Sequence, residues 1–113
     1  MIERGAIYRM TERGAYTGKP RPVVVMQNPN IRMDSIIVVP LTSNDSHGAP
    51  IRIGIDPNAE NGLRRHSFAM CDKVQAIRRD SLVEPPVGKL SDALLRQIRD
   101  TVYDLTDEGV ALD

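Results

Sequence analysis

A small β-barrel covered by one C-terminal helix, mainly β with a single α-helix at the end, is the fold class this sequence predicts. Three observations predict it. Short runs of aliphatic and β-branched residues recur from residue 6 to residue 90, separated by Gly, Pro and Asn clusters. Only residues 91–107 keep a helical period. The length, 113 residues, suits one domain over 1–113 and is short for two. At this size folding buries about two-thirds of the chain's surface, enough for a core without metals or disulfides.

Each element has its own warrant. Ala6-Ile7-Tyr8-Arg9-Met10 reads as an opening strand, with Ile7 alternating against polar neighbours. Residues 11–20 contain Gly14, Gly18 and Pro20 and read as a loop. Pro22 through Gln27 is a β-branched strand, in which Arg21, Val23, Val25 and Gln27 share a face by period-two alternation. Asn28-Pro29-Asn30 turns the chain. Ser35 to Thr42 is the most apolar strand and is expected to be central, with Ile36, Val38, Pro40 and Thr42 on one face. Pro40 carries no N–H, which implies a bulge or an exposed edge near that strand's end.

Residues 43–49 form a polar loop, and Ile51-Arg52-Ile53-Gly54-Ile55 alternates as a half-exposed strand. Asp56-Pro57-Asn58 and Asn61-Gly62 are turn chemistry. Ser67 to Gln75 reads as one further strand, Arg78-Arg79-Asp80-Ser81 as a helical turn, and Val87-Gly88-Lys89-Leu90 as a last short strand. Ser91 to Asp107 is the helix. Ser91 caps it and Asp92 suits the positive end of its dipole. Leu94, Leu95, Ile98, Val102 and Leu105 line one side, and Gly109 stops it.

The zero net charge hides an asymmetry. Residues 1–79 carry twelve Lys+Arg against seven Asp+Glu, whereas residues 80–113 carry three against eight. A basic surface confined to one part of the fold, or two solvated surfaces with no partner, both account for this. The N-terminus lacks the apolar region of a signal peptide. No run approaches the roughly 20 apolar residues that span a bilayer, so a soluble, cytoplasmic protein without membrane partners is expected.

Several chemistries fit poorly. Cys71, His47 and His66 form no close-spaced ligand pair, and no second cysteine exists, so no metal or other cofactor is expected. Asp34, Asp45, Asp56 and Asp72 are scattered, and no Gly-rich phosphate loop occurs. Cys71 is expected mid-strand as a small buried hydrophobe, not as a nucleophile. Phe68 is expected in the core, while Tyr16, in its glycine-containing loop, could stack one base.

Two segments remain, Gly18-Lys19-Pro20-Arg21-Pro22-Val23-Val24-Val25 and Val38-Val39-Pro40-Leu41-Thr42-Ser43. If they pair in one sheet, the Arg21 cation and the Thr42 hydroxyl meet over one groove, a combination suited to a phosphodiester. A strand-end arginine is otherwise an ordinary surface charge, and threonine belongs in strands anyway. Asp72 interrupts an apolar strand and calls for a partner such as Arg21 or a backbone amide. His66, beside Arg64 and Arg65, could contact phosphate or transfer a proton; as an ordinary surface histidine it would do neither.

These segments, together with Arg4-Gly5-Ala6-Ile7-Tyr8, Asn61-Gly62-Leu63-Arg64, Met70-Cys71-Asp72-Lys73-Val74 and Gly88-Lys89-Leu90-Ser91-Asp92, resemble the MazF/PemK toxins in order and spacing. The resemblance implies an SH3-like barrel, usually a homodimer. It implies a metal-independent, sequence-specific endoribonuclease acting on single-stranded RNA, paired with an antitoxin whose extended acidic segment fills the RNA groove. It assigns catalysis to Arg21 and Thr42. Lys19, Tyr16, Ser43, Arg64 and Arg65 are expected to contact the RNA. Asp72 and His66 stand as candidates for proton transfer or site support. Two departures matter. The Glu- or His-containing loop of many members is replaced by Gly14-Ala15-Tyr16-Thr17-Gly18-Lys19, and Met70 stands where the PemK-like members carry an arginine. That arginine's share is therefore absent or moved to Arg64 or Arg65. Two other readings stay open: a non-catalytic toxin of the same fold resembling the CcdB gyrase poisons, and a barrel that only binds RNA. The absence of Trp counts against the first.

Overall fold

A computed structural model describes residues 2–11, 21–44 and 51–109. The strands are β1 (Ala6–Met10), β2 (Arg21–Val25), β3 (Ser35–Thr42), β4 (Arg52–Ile55), β5 (Ser67–Met70), β6 (Gln75–Arg78) and β7 (Leu82–Lys89), followed by the helix α1 (Asp92–Leu105). All pairings are antiparallel. Their order is β4-β5-β3-β2-β1-β7, with β6 added on β3. The class is the one expected, mainly β with a C-terminal helix, and the hydrogen-bonded path is open between β4 and β7.

β3 organises the sheet because it feeds a core on each face. Ile36 and Val38 pack with Tyr8, Val23, Val25 and Ile77. Val39 and Leu41 point the other way and pack with Ile7, Val24, Ile53, Ile55 and Ala69 under Leu95 and Ile98 of α1. Each such side chain, fully buried, contributes about 1.5–3 kcal/mol. Ser91 caps α1 as expected, its Oγ accepting the Leu94 N–H at 3.2 Å. The apolar stripe ends at Val102, however. Leu105 is exposed and the helix stops there, Thr106 bonding the Tyr103 carbonyl, before Gly109 is reached.

The expected strand from Ser67 to Gln75 is two strands separated by a 3₁₀ turn at Cys71–Lys73. The reason lies in Pro40. The Met26 N–H donates to the Ile37 carbonyl, so the odd residues of β3 face β2 and the even ones, Pro40 included, face the other edge. On that edge β6 pairs with residues 35–38 and β5 with residues 41–42. Pro40 falls between them, where it has no N–H to offer, and the partner chain turns away. Pro40 itself is buried and paired to β2 on its other side, so the irregularity sits in the partner and not at an exposed edge.

β7 is longer than the expected Val87–Leu90 segment. It begins at Leu82, and its register on β1 shifts between Ile7 and Arg9, across the stretch holding Pro85 and Pro86. Gln27 lies just past the end of β2 and is buried. Its Nε2 donates to the Ile31 carbonyl at 2.6 Å and its Oε1 accepts the Ile37 N–H at 3.1 Å, tying the β2–β3 connection to β3. A Gln27→Leu variant keeps the volume and strands both backbone groups. It is expected to lose about 1–3 kcal/mol of stability, read as a lower urea midpoint at unchanged slope.

Candidate functional site

β2 begins where β3 ends. The register Val23↔Pro40 and Val25↔Val38 puts the Arg21 face of β2 and the Thr42 face of β3 on the same side of the sheet. Carried two residues further, it sets Arg21 across from Thr42. Both line one open groove of ≈ 480 Å³. Pro22, Leu41 and Leu63 give it apolar surface, and Ser43, Asn44, Arg64, Arg65 and Ser67 complete it. Three arginines and no carboxylate stand among these lining residues, which favours an anionic ligand.

The chemistry of each group follows from its contacts. Arg21 is exposed and carries five N–H donors in a fixed fork that matches phosphate oxygens. The Thr42 Oγ1 accepts the Asn44 N–H at 3.1 Å. That bond occupies lone-pair density and leaves the hydroxyl hydrogen to donate, so Thr42 is better suited to hold a phosphoryl oxygen than to take a proton.

Arg64 and Arg65 reach the groove because the chain before them is locked. Asn61 is fully buried and its side chain makes three hydrogen bonds to backbone. Its Oδ1 accepts the N–H groups of Asn58 and Leu63 at 3.1 and 2.9 Å, and its Nδ2 donates to the Asp56 carbonyl at 2.8 Å. Gly62 follows at φ +66°, and a Cβ there would collide with the Val87 carbonyl. The turn is thus pressed against β7, and the Lys89 N–H reaches the Glu60 carbonyl at 2.8 Å.

The remaining sequence candidates separate from the groove. Asp72 lies in the 3₁₀ turn, exposed, with Arg52 and not Arg21 as its ionic partner, at 3.7 Å. The Arg52 Nε is buried and makes no hydrogen bond. His66 directs Nδ1 to Asp56 Oδ1 at 2.6 Å and sets its ring edge-on to Phe68. Neither Asp72 nor His66 lines the groove. Cys71 is buried, and burial pushes its thiol up to about 11, far from the thiolate a nucleophile needs. Tyr16 and Lys19 lie outside the described residues. Leu41, Leu63, Asn44 and Ser67 line the groove without having been singled out. Only Asn44 had a signal, since the run Thr42-Ser43-Asn44 has the composition of a side-chain-stabilised turn.

The model of the family described as "PemK-like, MazF-like toxin of type II toxin-antitoxin system" matches residues 3–105. The chain belongs to this family. The toxin is also 42% identical over 92 residues to the probable endoribonuclease MazF of Mycolicibacterium smegmatis, an overlap of 80% of this chain and 84% of that one. Among solved structures it superposes on the Mycobacterium tuberculosis toxin MazF-mt6 with a TM-score of 0.72 at 23% identity, covering 96% of this chain and 98% of the other. A mycobacterial endoribonuclease in complex with its cognate antitoxin gives a TM-score of 0.74 at 19% identity, with 100% of both chains covered. At these identities the superpositions establish the shared fold.

The groove of this toxin depends on the Asn61 lock. An Asn61→Ala variant removes both hydrogen bonds accepted by Oδ1 and is expected to cost about 1–3 kcal/mol. Arg64 and Arg65 should become readily cleaved by trypsin in the folded variant and resist it in the wild type.

Proposed function

We propose that this toxin is an endoribonuclease that cuts single-stranded RNA in the Arg21–Thr42 groove. One observation carries the reading: the sheet register brings a guanidinium and a hydroxyl together in a groove lined, among the described residues, by two further arginines and no carboxylate. The family and the M. smegmatis relative support it. The ribose 2′-OH attacks the adjacent phosphorus and the bond to the 5′-oxygen breaks, leaving a 2′,3′-cyclic phosphate and a 5′-OH. In net terms the 2′-OH proton ends on the 5′-oxygen, so no water is consumed. Arg21, charged at every working pH, clamps the phosphoryl oxygens as their charge grows, and Thr42 donates to one of them. Arg64, Arg65 and Ser43 hold flanking RNA, with Tyr16 and Lys19 as further contacts. Asp72 and His66 support the surrounding surface and transfer no proton within the groove. DNA, lacking the 2′-OH, is not cut.

The same basic groove would receive the acidic segment of an antitoxin, and the toxin would act as a homodimer, selecting its RNA by sequence. No helix among the described residues is long and apolar enough to cross a membrane, and the site of action on this reading is the cytoplasm.

Cleavage of a long single-stranded RNA in EDTA tests the reading. Wild type should give discrete fragments ending in cyclic phosphate. Arg21→Ala should cut about 10²–10³ times more slowly, the usual loss of a preorganised transition-state donor, and Thr42→Ala should also be slowed. Full activity in both variants, or none in folded wild type, refutes it. Binding offers a second check. Each arginine that contacts phosphate adds about −0.7 to the slope of log affinity against log salt for a single strand. Arg64→Ala and Arg65→Ala should each flatten that slope by about this amount, measured by titrating a non-cleavable 2′-O-methyl RNA.

A further inference from the structure

Beside the groove stands an aromatic pair outside both core clusters, the exposed His66 and the half-buried Phe68. Phe68 is the only phenylalanine of the chain, which has no tryptophan. It was expected in the core. It belongs to neither buried cluster, nor to the half-buried side chains packed on them. Alternation along β5 explains this. Ala69 points into the core beneath α1, and Phe68 points to the opposite face.

That face leads directly to the proposed scissile site. Phe68 pairs with Thr42 on one side and with Gly54 on the other. Met10 pairs with Arg21, and the β2–β3 register sets Arg21 across from Thr42. Arg21, Thr42, Phe68 and Gly54 thus form one row across neighbouring strands, each step about 5 Å. The His66 ring meets Phe68 with centroids 4.9 Å apart and planes at 75°. Asp56 pins that ring through Nδ1 at 2.6 Å. Gly54 supplies the room beneath. A Cβ there would lie 3.1 Å from His66 Nε2 and 3.8 Å from Phe68 Cε1.

We infer that Phe68 and His66 form a corner that seats one RNA base next to the phosphate held by Arg21 and Thr42. The inference rests on the endoribonuclease reading for its substrate. Any base presents a π-face to a ring, so the contact adds affinity and positions the strand without demanding one base. Pinned by Asp56, the second ring closes one side of the corner, so an incoming base has a wall as well as a floor. The charged groups flanking the row, Arg64 and Arg65, lie immediately before His66 in sequence and line the groove.

The lack of tryptophan makes a direct probe available. Phe68→Trp, checked by circular dichroism for an intact fold, gives the protein's only tryptophan emission. The ligand is a mixed-sequence, fluorescein-labelled 2′-O-methyl RNA, which cannot be cut, and inorganic polyphosphate supplies charge without bases. The RNA should quench the Phe68→Trp emission and polyphosphate should not. Phe68→Leu, checked by circular dichroism for an intact fold, should bind the RNA about tenfold more weakly at an unchanged salt slope. Gly54→Val, which crowds both rings, should weaken binding in the same way. Unchanged emission while anisotropy reports binding overturns the inference, as does wild-type affinity in Phe68→Leu. Cleavage by wild type separates the two readings. RNA cutting without quenching keeps the nuclease and removes the stacking corner. Quenching without cutting keeps the corner and removes the nuclease. Wild type that binds no RNA overturns both.

Discussion

Nearly everything in this fold depends on β3 being filled on both faces and paired on both edges. Its even residues Ile36 and Val38 build one core and its odd residues Val39 and Leu41 the other. Register is strongly specified under such conditions, because a slip of one residue would exchange the two faces. β2 is held to β3 by that register, and β1 and β7 follow in turn. The alignment of Arg21 with Thr42 is a consequence of packing that lies two to four residues away.

The site itself sits where regular pairing runs out. β2 starts and β3 ends at the groove, and described turns at residues 42–44 and 58–63 border it. Their backbone groups are satisfied by side chains: Thr42 takes the Asn44 N–H, and Asn61 takes those of Asn58 and Leu63. Such turns carry Arg64 and Arg65 exposed, so a ligand meets their charge at little desolvation cost. The core supplies the rigidity and the turns supply the chemistry.

Reading order along the chain succeeded wherever alternation decided the outcome. β1 and β3 have the expected bounds, and the shared faces of Arg21 with Val23 and of Thr42 with Val38 are those seen. It failed where one strand's behaviour was set by its neighbour. Ser67 to Gln75 looks continuous, yet its interruption is dictated by Pro40 on a different strand. Among the described residues Asp72 has Arg52 as its ionic partner, and neither Arg21 nor a backbone amide, because the β4–β5 pairing brings Arg52 beside it. Phe68 stays half-buried and outside both core clusters because the helix covers the other face of β5.

From the sequence alone come the class, the positions of most strands, the capped helix, the family resemblance and the two groups at the centre of the groove. These rest on local rules: period, turn chemistry, capping and motif order. Only the tertiary structure decided which edge of β3 each partner takes, that Asp56 holds His66 against Phe68, and that both stand outside the groove while Arg64 and Arg65 line it. Those outcomes depend on contacts between residues far apart in the chain, and local periodicity carries no information about which distant strand a face will meet.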